Sequence, residues 1–302
     1  NKEVEIEIEK DSIYEYFRTD GSIATKDNSL TTIIGSISNV KKFFGQTNSN
    51  QLICMDFNSM VNYLNVEKYL KSKEIDLLVL PELFSTGYFI EEEERIRLAE
   101  KVPEGTTTQK LIELSIKYSV YIVGAIIEKE NENLYITAVV TGPEGYIGKH
   151  RKRNLTSSEL KIYTRGEDSL VFDVKGIKVG VIICFEGWFP ESVRALTKQG
   201  AQIIAHTALI SSSKTYGIMK TRAIENDSYI VIANSPDYEE FGKEKIEFRG
   251  ESQIIDNNGD ILIKGNKTEG IIYTEILEFP SSYKKLPDSD NLLDEIFIYR
   301  ED

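Results

Sequence analysis

Two side chains able to carry out covalent or proton-transfer chemistry follow predicted strands of this 302-residue chain. Glu82 comes after the apolar run Leu77–Leu80 and Pro81, which cannot donate to a sheet ladder and should end the strand. Cys184 ends a second apolar run, Val179–Ile183. Because α/β sheets bind ligands beyond the carboxyl ends of their strands, both residues are candidates for a reactive site.

A basic cluster, residues 148–155, adds a third candidate in an otherwise acidic chain. If Lys152 turns inward beside a thiol, its charge lowers the thiol pKa and can later stabilise an oxyanion. Each residue also has a structural alternative: a loop or N-cap carboxylate for Glu82, inert packing for Cys184, and a solvated loop for most charges of the cluster. Cys54 lies within an apolar run without charged neighbours, and we interpret it as structural.

The elements that must position these residues alternate regularly after residue 50. Short apolar runs predict strands, and amphipathic stretches predict helices. The helix at 190–199 should begin at Pro190 and end before Gly200. The predicted strands are 52–57, 75–80, 120–127, 134–141, 169–174, 178–184, 201–205, 229–234, 251–256, 261–263 and 270–276, and the predicted helices are 60–70, 91–101, 107–118, 190–199 and 215–226.

These elements predict an α/β layered sandwich. The runs at 77–80 and 179–183 lack polar alternation, which is typical of strands buried on both faces. Helices and strands interleave first and hairpins finish the domain. We predict one domain over residues 51–280, an N-terminal extension over 1–50, and a C-terminal tail over 281–302 that is a candidate oligomer contact.

Composition argues against several functional classes. The chain has 49 acidic and 36 basic residues and a net charge of −13, which disfavours a nucleic-acid partner. Two cysteines cannot form a disulfide framework, so we expect a reducing, cytoplasmic location. Two histidines and the absence of CxxC or HxxxH spacing argue against a metal site built on histidine and cysteine, and nothing in the sequence marks one made of carboxylates, so we expect no metal. No run approaches the roughly 18 to 20 apolar residues that a membrane-spanning helix needs, so we expect no membrane partner.

The first ten residues alternate apolar and acidic side chains. This period of two predicts a strand with one acidic face, whereas a secretory signal begins basic and continues into an apolar block. The chain does not begin with Met, and whether a leader was removed stays open.

Taken together, the three candidates stand in contexts that resemble the nitrilase (carbon–nitrogen hydrolase) superfamily, in its amidase-like branch. The likeness covers about residues 51–278. The matching segments are LPELFSTGY at 80–88, GKHRKRNL at 148–155 with Glu159 beyond it, GVIICFE at 180–186, FPE at 189–191 with Arg194, RAIEN at 222–226, Asn234, GES at 250–252 and Gly259.

The resemblance implies a four-layer αββα sandwich, paired into a homodimer or higher homo-oligomer, with no cofactor. It implies that Glu82 is the general base and that Cys184 is a nucleophile forming a thioester. Lys152 and the Phe185 N–H would hold the oxyanion, and Glu159 would position Lys152 or the substrate amine. The expected substrate is a small linear amide or carbamoyl amine that releases ammonia or an amine.

Four positions depart from the family pattern. Asn154 stands where histidine is common, His150 where tyrosine is common, Glu186 where aspartate is common, and His206 where proline or asparagine is usual. The last two lie close to the cysteine in chain order or in the fold. They leave the hydrolase prediction intact and the substrate open.

Other functions fit the same residues. The scaffold could transfer the acyl group to an amine, hydrolyse a nitrile, or be a catalytically silent binding protein. The segment CFEGW at 184–188 lacks the tryptophan–glutamate signature of true nitrilases, which favours an amide. A Cys–His dyad is the general alternative for a thiol enzyme, but we expect His206 to be a pocket wall or core histidine. Trp188 is a candidate pocket residue, with packing under the following helix as its alternative. The sequence contains no GxSxG motif, which argues against a Ser-His-Asp hydrolase.

Overall fold

The computed structural model describes residues 15–17, 23–25, 67, 70–71, 75–241, 244–267 and 270–276. The chain divides into two units, residues 1–63 and 64–302. In the first unit, strands β1 (Glu15–Phe17) and β2 (Ile23–Thr25) form an antiparallel pair. The predicted strand 52–57, most of the helix 60–70, and the tail 281–302 lie outside the described residues, so the domain boundaries stay predictions.

The described strands of the second unit form two main sheets and a separate hairpin. The first sheet contains β3 (Leu77–Val79), β4 (Tyr121–Glu130), β5 (Asn133–Gly142) and β6 (Gly145–Arg151), in that order. The second contains β7 (Val171–Val174), β8 (Ile177–Ile183), β9 (Ile203–Ala208), β10 (Tyr229–Asn234), β13 (Gln253–Ile255) and β14 (Ile261–Lys264). The hairpin is β11 (Pro236–Phe241) with β12 (Glu244–Arg249). The order in the second sheet is β14-β13-β10-β9-β8-β7, with β8, β9 and β10 parallel.

Helices cover the outer faces of these two sheets. Within residues 75–276, the described α-helices are α1 (Glu92–Leu98), α2 (Thr106–Tyr118), α3 (Pro190–Thr197) and α4 (Ser213–Asn226), and two 3-10 helices span Glu159–Lys161 and Cys184–Trp188. As predicted, α3 begins with Pro190 in its first turn. The Ser212 side chain accepts a hydrogen bond from Lys214 N and caps α4.

The two sheets pack face to face, which confirms the four-layer αββα sandwich. Val123 and Ala125 of β4 lie in the same buried cluster as Val179 and Val181 of β8. The other face of the first sheet is covered mainly by α2, and the other face of the second sheet packs on α3 and α4. Because each central strand is buried on both faces, its sequence shows a continuous apolar run and no alternation.

The structure corrects the sequence analysis at several elements. Part of the basic cluster is strand β6, which pairs with β5, and not a solvated loop. Lys149 and Arg151 form ion pairs with the buried Glu128 of β4, on the other side of β5. The hairpin β11–β12 was not predicted, since its strands are largely charged. The described residues 270–276 form no strand although their sequence predicts one. An apolar run becomes a strand only where a neighbouring strand takes up its hydrogen bonds.

Within the described residues, no helix combines the length and the apolar character that crossing a membrane requires.

Candidate active site

Glu82 lies in the turn that follows β3, as the position of Pro81 predicts. Its side chain is 1% exposed. The turn is held from the far side by Glu239 of β11, whose carboxylate accepts hydrogen bonds from Tyr88 N at 2.8 Å and Phe89 N at 2.7 Å. Gly87, beside these donors, has φ +80, a conformation that glycine adopts without strain. The unpredicted hairpin therefore helps to position the loop that carries Glu82.

Cys184 is the first residue after β8 and begins the 3-10 helix Cys184–Trp188. Its φ of +45 is uncommon for a residue other than glycine and persists only where surrounding contacts hold it. The thiol lies 3.7 Å from Leu209 O, to which it donates. This sharp strand-to-helix turn presents the half-buried sulfur at the carboxyl end of the second sheet.

Lys152 joins the two carboxylates of the site. It directly follows β6, and its side chain is fully buried. Its Nζ donates to Glu82 Oε1 at 2.8 Å and to Glu159 Oε1 at 2.7 Å. The other oxygen of Glu159 accepts from Thr156 N at 2.8 Å, which fixes that carboxylate. The structure thus places Glu82, Lys152 and Glu159 in one buried ionic cluster.

The cluster shifts the pKa of each reactive group. Burial by itself would lower the pKa of Lys152, but the negative charges of Glu82 and Glu159 raise it well above the ordinary value. Burial raises the pKa of Glu82, against the opposing charge of Lys152. Burial and the charge of Glu82 also raise the pKa of the Cys184 thiol. Lys152 lowers the thiol pKa, as predicted, but burial and the charge of Glu82 outweigh this effect.

The thiol is close to the general-base candidate. The interaction between the Cys184 thiol and the Glu82 carboxyl group lowers the pKa of Glu82. Glu82 Oε2 is buried, and no donor in the described part of the chain forms a well-aligned hydrogen bond with it. One oxygen of Glu82 therefore accepts a hydrogen bond from Lys152, and the other is available to accept a proton from the thiol.

A second buried ion pair, His150–Glu186, ties the two strand ends together. Glu186 Oε2 accepts from His150 Nε2 at 2.8 Å and from Ile183 N at 2.7 Å, and Oε1 accepts from Arg153 N at 2.8 Å. His150 Nδ1 donates to Asp168 O at 3.1 Å, so both ring nitrogens donate. The pair connects the residue before Cys184 with the residue after Lys152. Both residues depart from the family pattern, but their positions in the sequence do not pair them.

This pair predicts a stability difference that depends on pH. Burial lowers the pKa of His150, but Glu186 and the Asp168 carbonyl outweigh it and hold the folded pKa above 6.5. The stabilisation from this shift is complete below pH 6.5 and is lost as pH rises through the folded pKa. Burial raises the pKa of Glu186, but His150 outweighs it and holds the folded pKa below 4.5. The stabilisation from this shift is present above pH 4.5 and is lost as pH falls through the folded pKa. Glu186→Gln should therefore lower the free energy of unfolding by about 3 kcal/mol near pH 5.5.

Urea denaturation from about pH 3 to pH 9 measures this difference between wild type and Glu186→Gln, which should shrink toward both ends of the range. Glu191→Gln, an exposed carboxylate at the beginning of α3, is the matched control and should change stability by less than about 0.5 kcal/mol. A difference for Glu186→Gln that stays constant with pH would contradict the assignment.

The end of β9 forms a wall of the site that the sequence analysis missed. Leu209 O contacts the thiol, and Ala208 O accepts a weak hydrogen bond from Glu82 N at 3.5 Å. The next residue is fixed by Asn234, whose Oδ1 accepts from Ile210 N at 2.6 Å. Asn234 appears among the motifs above, and its position at the end of β10 was the available signal.

The remaining predicted residues take separate places around Cys184. The Phe185 ring packs edge-on against Phe189. Trp188 is 38% exposed, and its Nε1 donates to Thr215 Oγ1 of α4 at 3.2 Å. His206 is fully buried, and its Nε2 lies 3.0 Å from Cys184 O. Cys54 lies outside the described residues. The described part of the chain holds no cluster of histidine, cysteine and carboxylate side chains suited to a metal ion.

Comparisons with known proteins agree with this geometry. Residues 46–278 match the sequence profile of the carbon–nitrogen hydrolase family. The chain is 41% identical over 214 residues to a protein of Pyrococcus abyssi named nitrilase, covering 69% of this chain and 80% of the relative. It is 32% identical over 218 residues to the 2-oxoglutaramate amidase of Bacillus subtilis, covering 68% and 80%. It is 30% identical over 220 residues to omega-amidase NIT2 of Mus musculus, covering 67% and 76%.

Solved structures show the same fold. Nit3 of Saccharomyces cerevisiae, described as a member of branch 10 of the nitrilase superfamily, superposes with a TM-score of 0.64 at 24% identity, covering 72% of this chain and 82% of the other. An amidase from Nesterenkonia sp. superposes with a TM-score of 0.63 at 22% identity, covering 72% of this chain and 82% of the other.

Proposed function

Because the chain belongs to the carbon–nitrogen hydrolase family, we propose that it hydrolyses the C–N bond of a small linear amide or carbamoyl amine through a thioester on Cys184. The observation that carries the proposal is the buried Lys152, held between Glu82 and Glu159 beside the thiol. Amidases among the relatives support an amide substrate. Glu82, Lys152 and Cys184 would form a Glu–Lys–Cys triad, with Glu159 in a supporting position.

The first chemical step is attack on the substrate carbonyl. The raised pKa of Cys184 keeps the thiol protonated at neutral pH, and the adjacent Lys152 ammonium favours the charged form of Glu82. Glu82 takes the thiol proton as Sγ bonds to the carbonyl carbon, and the carbonyl π electrons move onto oxygen. Lys152 has three N–H donors and uses two on carboxylates, so the third, with the Phe185 N–H, holds the oxyanion.

The second step releases the amine and then the acid. The protonated Glu82 donates its proton to the leaving nitrogen, the C–N bond breaks, and an acyl thioester remains on Cys184. Glu82 next removes a proton from water as the water attacks the thioester. Collapse of that intermediate breaks the C–S bond, and Glu82 returns the proton to the sulfur.

Nitrile hydrolysis is the second candidate function, favoured by the relative named nitrilase. The same thiol would attack the nitrile carbon, and the same cations would stabilise the developing charge on nitrogen. Acyl transfer to an amine in place of water remains a third option on this scaffold. A silent binding protein is disfavoured, because burying a lysine and two glutamates is costly and serves catalysis more readily than packing.

An ammonia-release screen tests the proposal and separates these functions. The panel contains ω-amides of dicarboxylic acids, carbamoyl amines, short aliphatic amides and the matching nitriles, each with and without an added amine acceptor. We expect ammonia from amides and, after rapid acid quench, an acyl mass increase confined to the peptide that contains Cys184. Product that appears only with the amine acceptor would indicate a transferase. No adduct and no ammonia from any class would contradict the proposal.

Two further proposals concern the setting of the enzyme. We propose a homodimer or higher homo-oligomer, which light scattering measures directly. We also propose a cytoplasmic location, supported by a chain with only two cysteines.

A further inference from the structure

His206 contacts the backbone of the nucleophile and not its thiol. It lies on β9 opposite Ile182 of β8 and is fully buried. Its Nε2 is 3.0 Å from the carbonyl oxygen of Cys184. A carbonyl oxygen only accepts hydrogen bonds, so Nε2 carries the proton and donates it to this carbonyl.

The ring is a neutral donor with no proton to exchange at the site. With the proton on Nε2, Nδ1 is a bare acceptor, and it has no hydrogen-bond partner among the described residues. Burial lowers the pKa of His206 to about 4, so the imidazole stays neutral at physiological pH. His206 therefore does not form the Cys–His dyad that a thiol enzyme could otherwise use.

Gly187 lies close to the His206 ring. A Cβ atom there would lie 3.3 Å from His206 Cε1 and 2.7 Å from Met219 Sδ. A side chain at Gly187 would require the end of Met219 to move and would crowd the His206 ring by a few tenths of an ångström. The chain keeps space for a close approach between this ring and the backbone of the nucleophile.

Peptide geometry links this contact to the oxyanion site. The carbonyl of Cys184 and the N–H of Phe185 belong to one planar trans peptide, so the C=O and N–H bonds point in opposite directions. A donor that fixes the carbonyl therefore also fixes the direction of the N–H. This peptide lies at the first residue of the 3-10 helix Cys184–Trp188, where Cys184 has φ +45, so His206 adds a side-chain contact to the backbone of a strained turn.

We propose that His206 is a positioning residue that aims the Phe185 N–H at the oxyanion by holding the Cys184 carbonyl from behind. The inference rests on the proposed function, in which that N–H stabilises the oxyanion. A hydrogen bond accepted by a carbonyl also polarises its peptide and strengthens the N–H as a donor. A prealigned donor costs no reorganisation when the negative charge forms.

Substitutions of matched size separate this role from packing. His206→Met removes the donor and keeps an unbranched side chain, whereas His206→Gln restores an N–H donor at about the distance of Nε2. For the fastest amide of the ammonia screen, His206→Met should lower kcat by about 30- to 100-fold with KM changed less than about threefold. His206→Gln should recover kcat to within about fivefold of wild type.

Two thiol probes locate the defect. Butyraldehyde adds to Cys184 so that an S–C bond forms, the thiol proton passes to Glu82, and the aldehyde oxygen becomes an oxyanion. Methyl methanethiosulfonate instead forms an S–S bond and expels methanesulfinate, with no oxyanion at carbon. His206→Met should weaken butyraldehyde inhibition by at least about tenfold, and the rate of thiosulfonate modification should change less than about threefold.

Each other outcome overturns the inference. Equal losses with both probes would show that His206 acts on the thiol or on the fold, and unchanged butyraldehyde inhibition would show that it does not aim the N–H. If His206→Met does not fold, His206→Gln decides, because a tenfold loss of butyraldehyde inhibition in this donor-retaining variant contradicts the role. If the wild type neither releases ammonia nor binds butyraldehyde, the proposed function itself fails, which distinguishes the two.

Discussion

Cys184→Ala is expected to lower amide turnover by about 10⁴-fold or more, the largest effect of any single substitution in this chain. The alanine variant has no group that can form the thioester, and Glu82 and Lys152 would face a substrate without a nucleophile. The fold should be retained, since Cys184 is half-buried and the substitution removes one sulfur atom. Ammonia release measures the rate, and intact mass after acid quench should show no acyl adduct.

Cys54→Ala is the matched control, because it makes the same substitution at the cysteine that we interpret as structural. It should retain turnover within about twofold and should still form the adduct. Turnover by Cys184→Ala above about 1% of the wild-type rate, after repeated purification to exclude contamination, would mean that the nucleophile lies elsewhere.

Lys152→Met is expected to lower kcat by about 10³-fold and to destabilise the protein as well. Without the ammonium, Glu82 and Glu159 remain buried with no cation between them. The pKa of Glu82 is already raised by burial, and loss of its counter-charge raises it further, so Glu82 is protonated at neutral pH and no longer acts as a base. The oxyanion also loses its charged donor.

The same change leaves a stability signature. Removing one partner of a buried ion pair lowers the free energy of unfolding by about 3–5 kcal/mol. The decrease should be smaller in acid, where Glu82 and Glu159 are protonated in both the folded and the unfolded protein. Urea denaturation at about pH 4 and pH 7.5 measures this difference.

Lys149→Met is the control for Lys152→Met, because it makes the same substitution three residues earlier on β6. Lys149 is partly exposed and pairs with Glu128, which also binds Arg151 and therefore keeps a cation. We expect turnover within about twofold of wild type and a stability change of about 1 kcal/mol or less. Equal effects of the two substitutions would show that Lys152 has no special role at the site.

Much of the architecture follows from local patterns along the chain. Pro81 lacks an N–H, so the strand before it had to end there, and the structure ends β3 at Val79. The unbroken apolar runs of β4 and β8 predicted strands buried on both faces. The family motifs then predicted the layer order and the three candidate catalytic residues, because such motifs depend on residue type and chain order alone.

The contacts that set the chemistry depended on folding. Chain order does not show that Glu186 meets His150 from another sheet, that Glu239 holds the loop after Glu82, or that His206 reaches the carbonyl of Cys184. Local patterns also misassigned β6, whose charges are neutralised by Glu128 of β4, two strands away in the sheet.

The net pKa of the thiol likewise depended on tertiary structure, because burial and the charge of Glu82 outweigh Lys152. The sequence by itself therefore determined which reactive groups the protein contains and which strand ends they follow. Only the tertiary structure decided their distances, partners and protonation. Those properties arise from burial and charge between residues that are far apart in the chain.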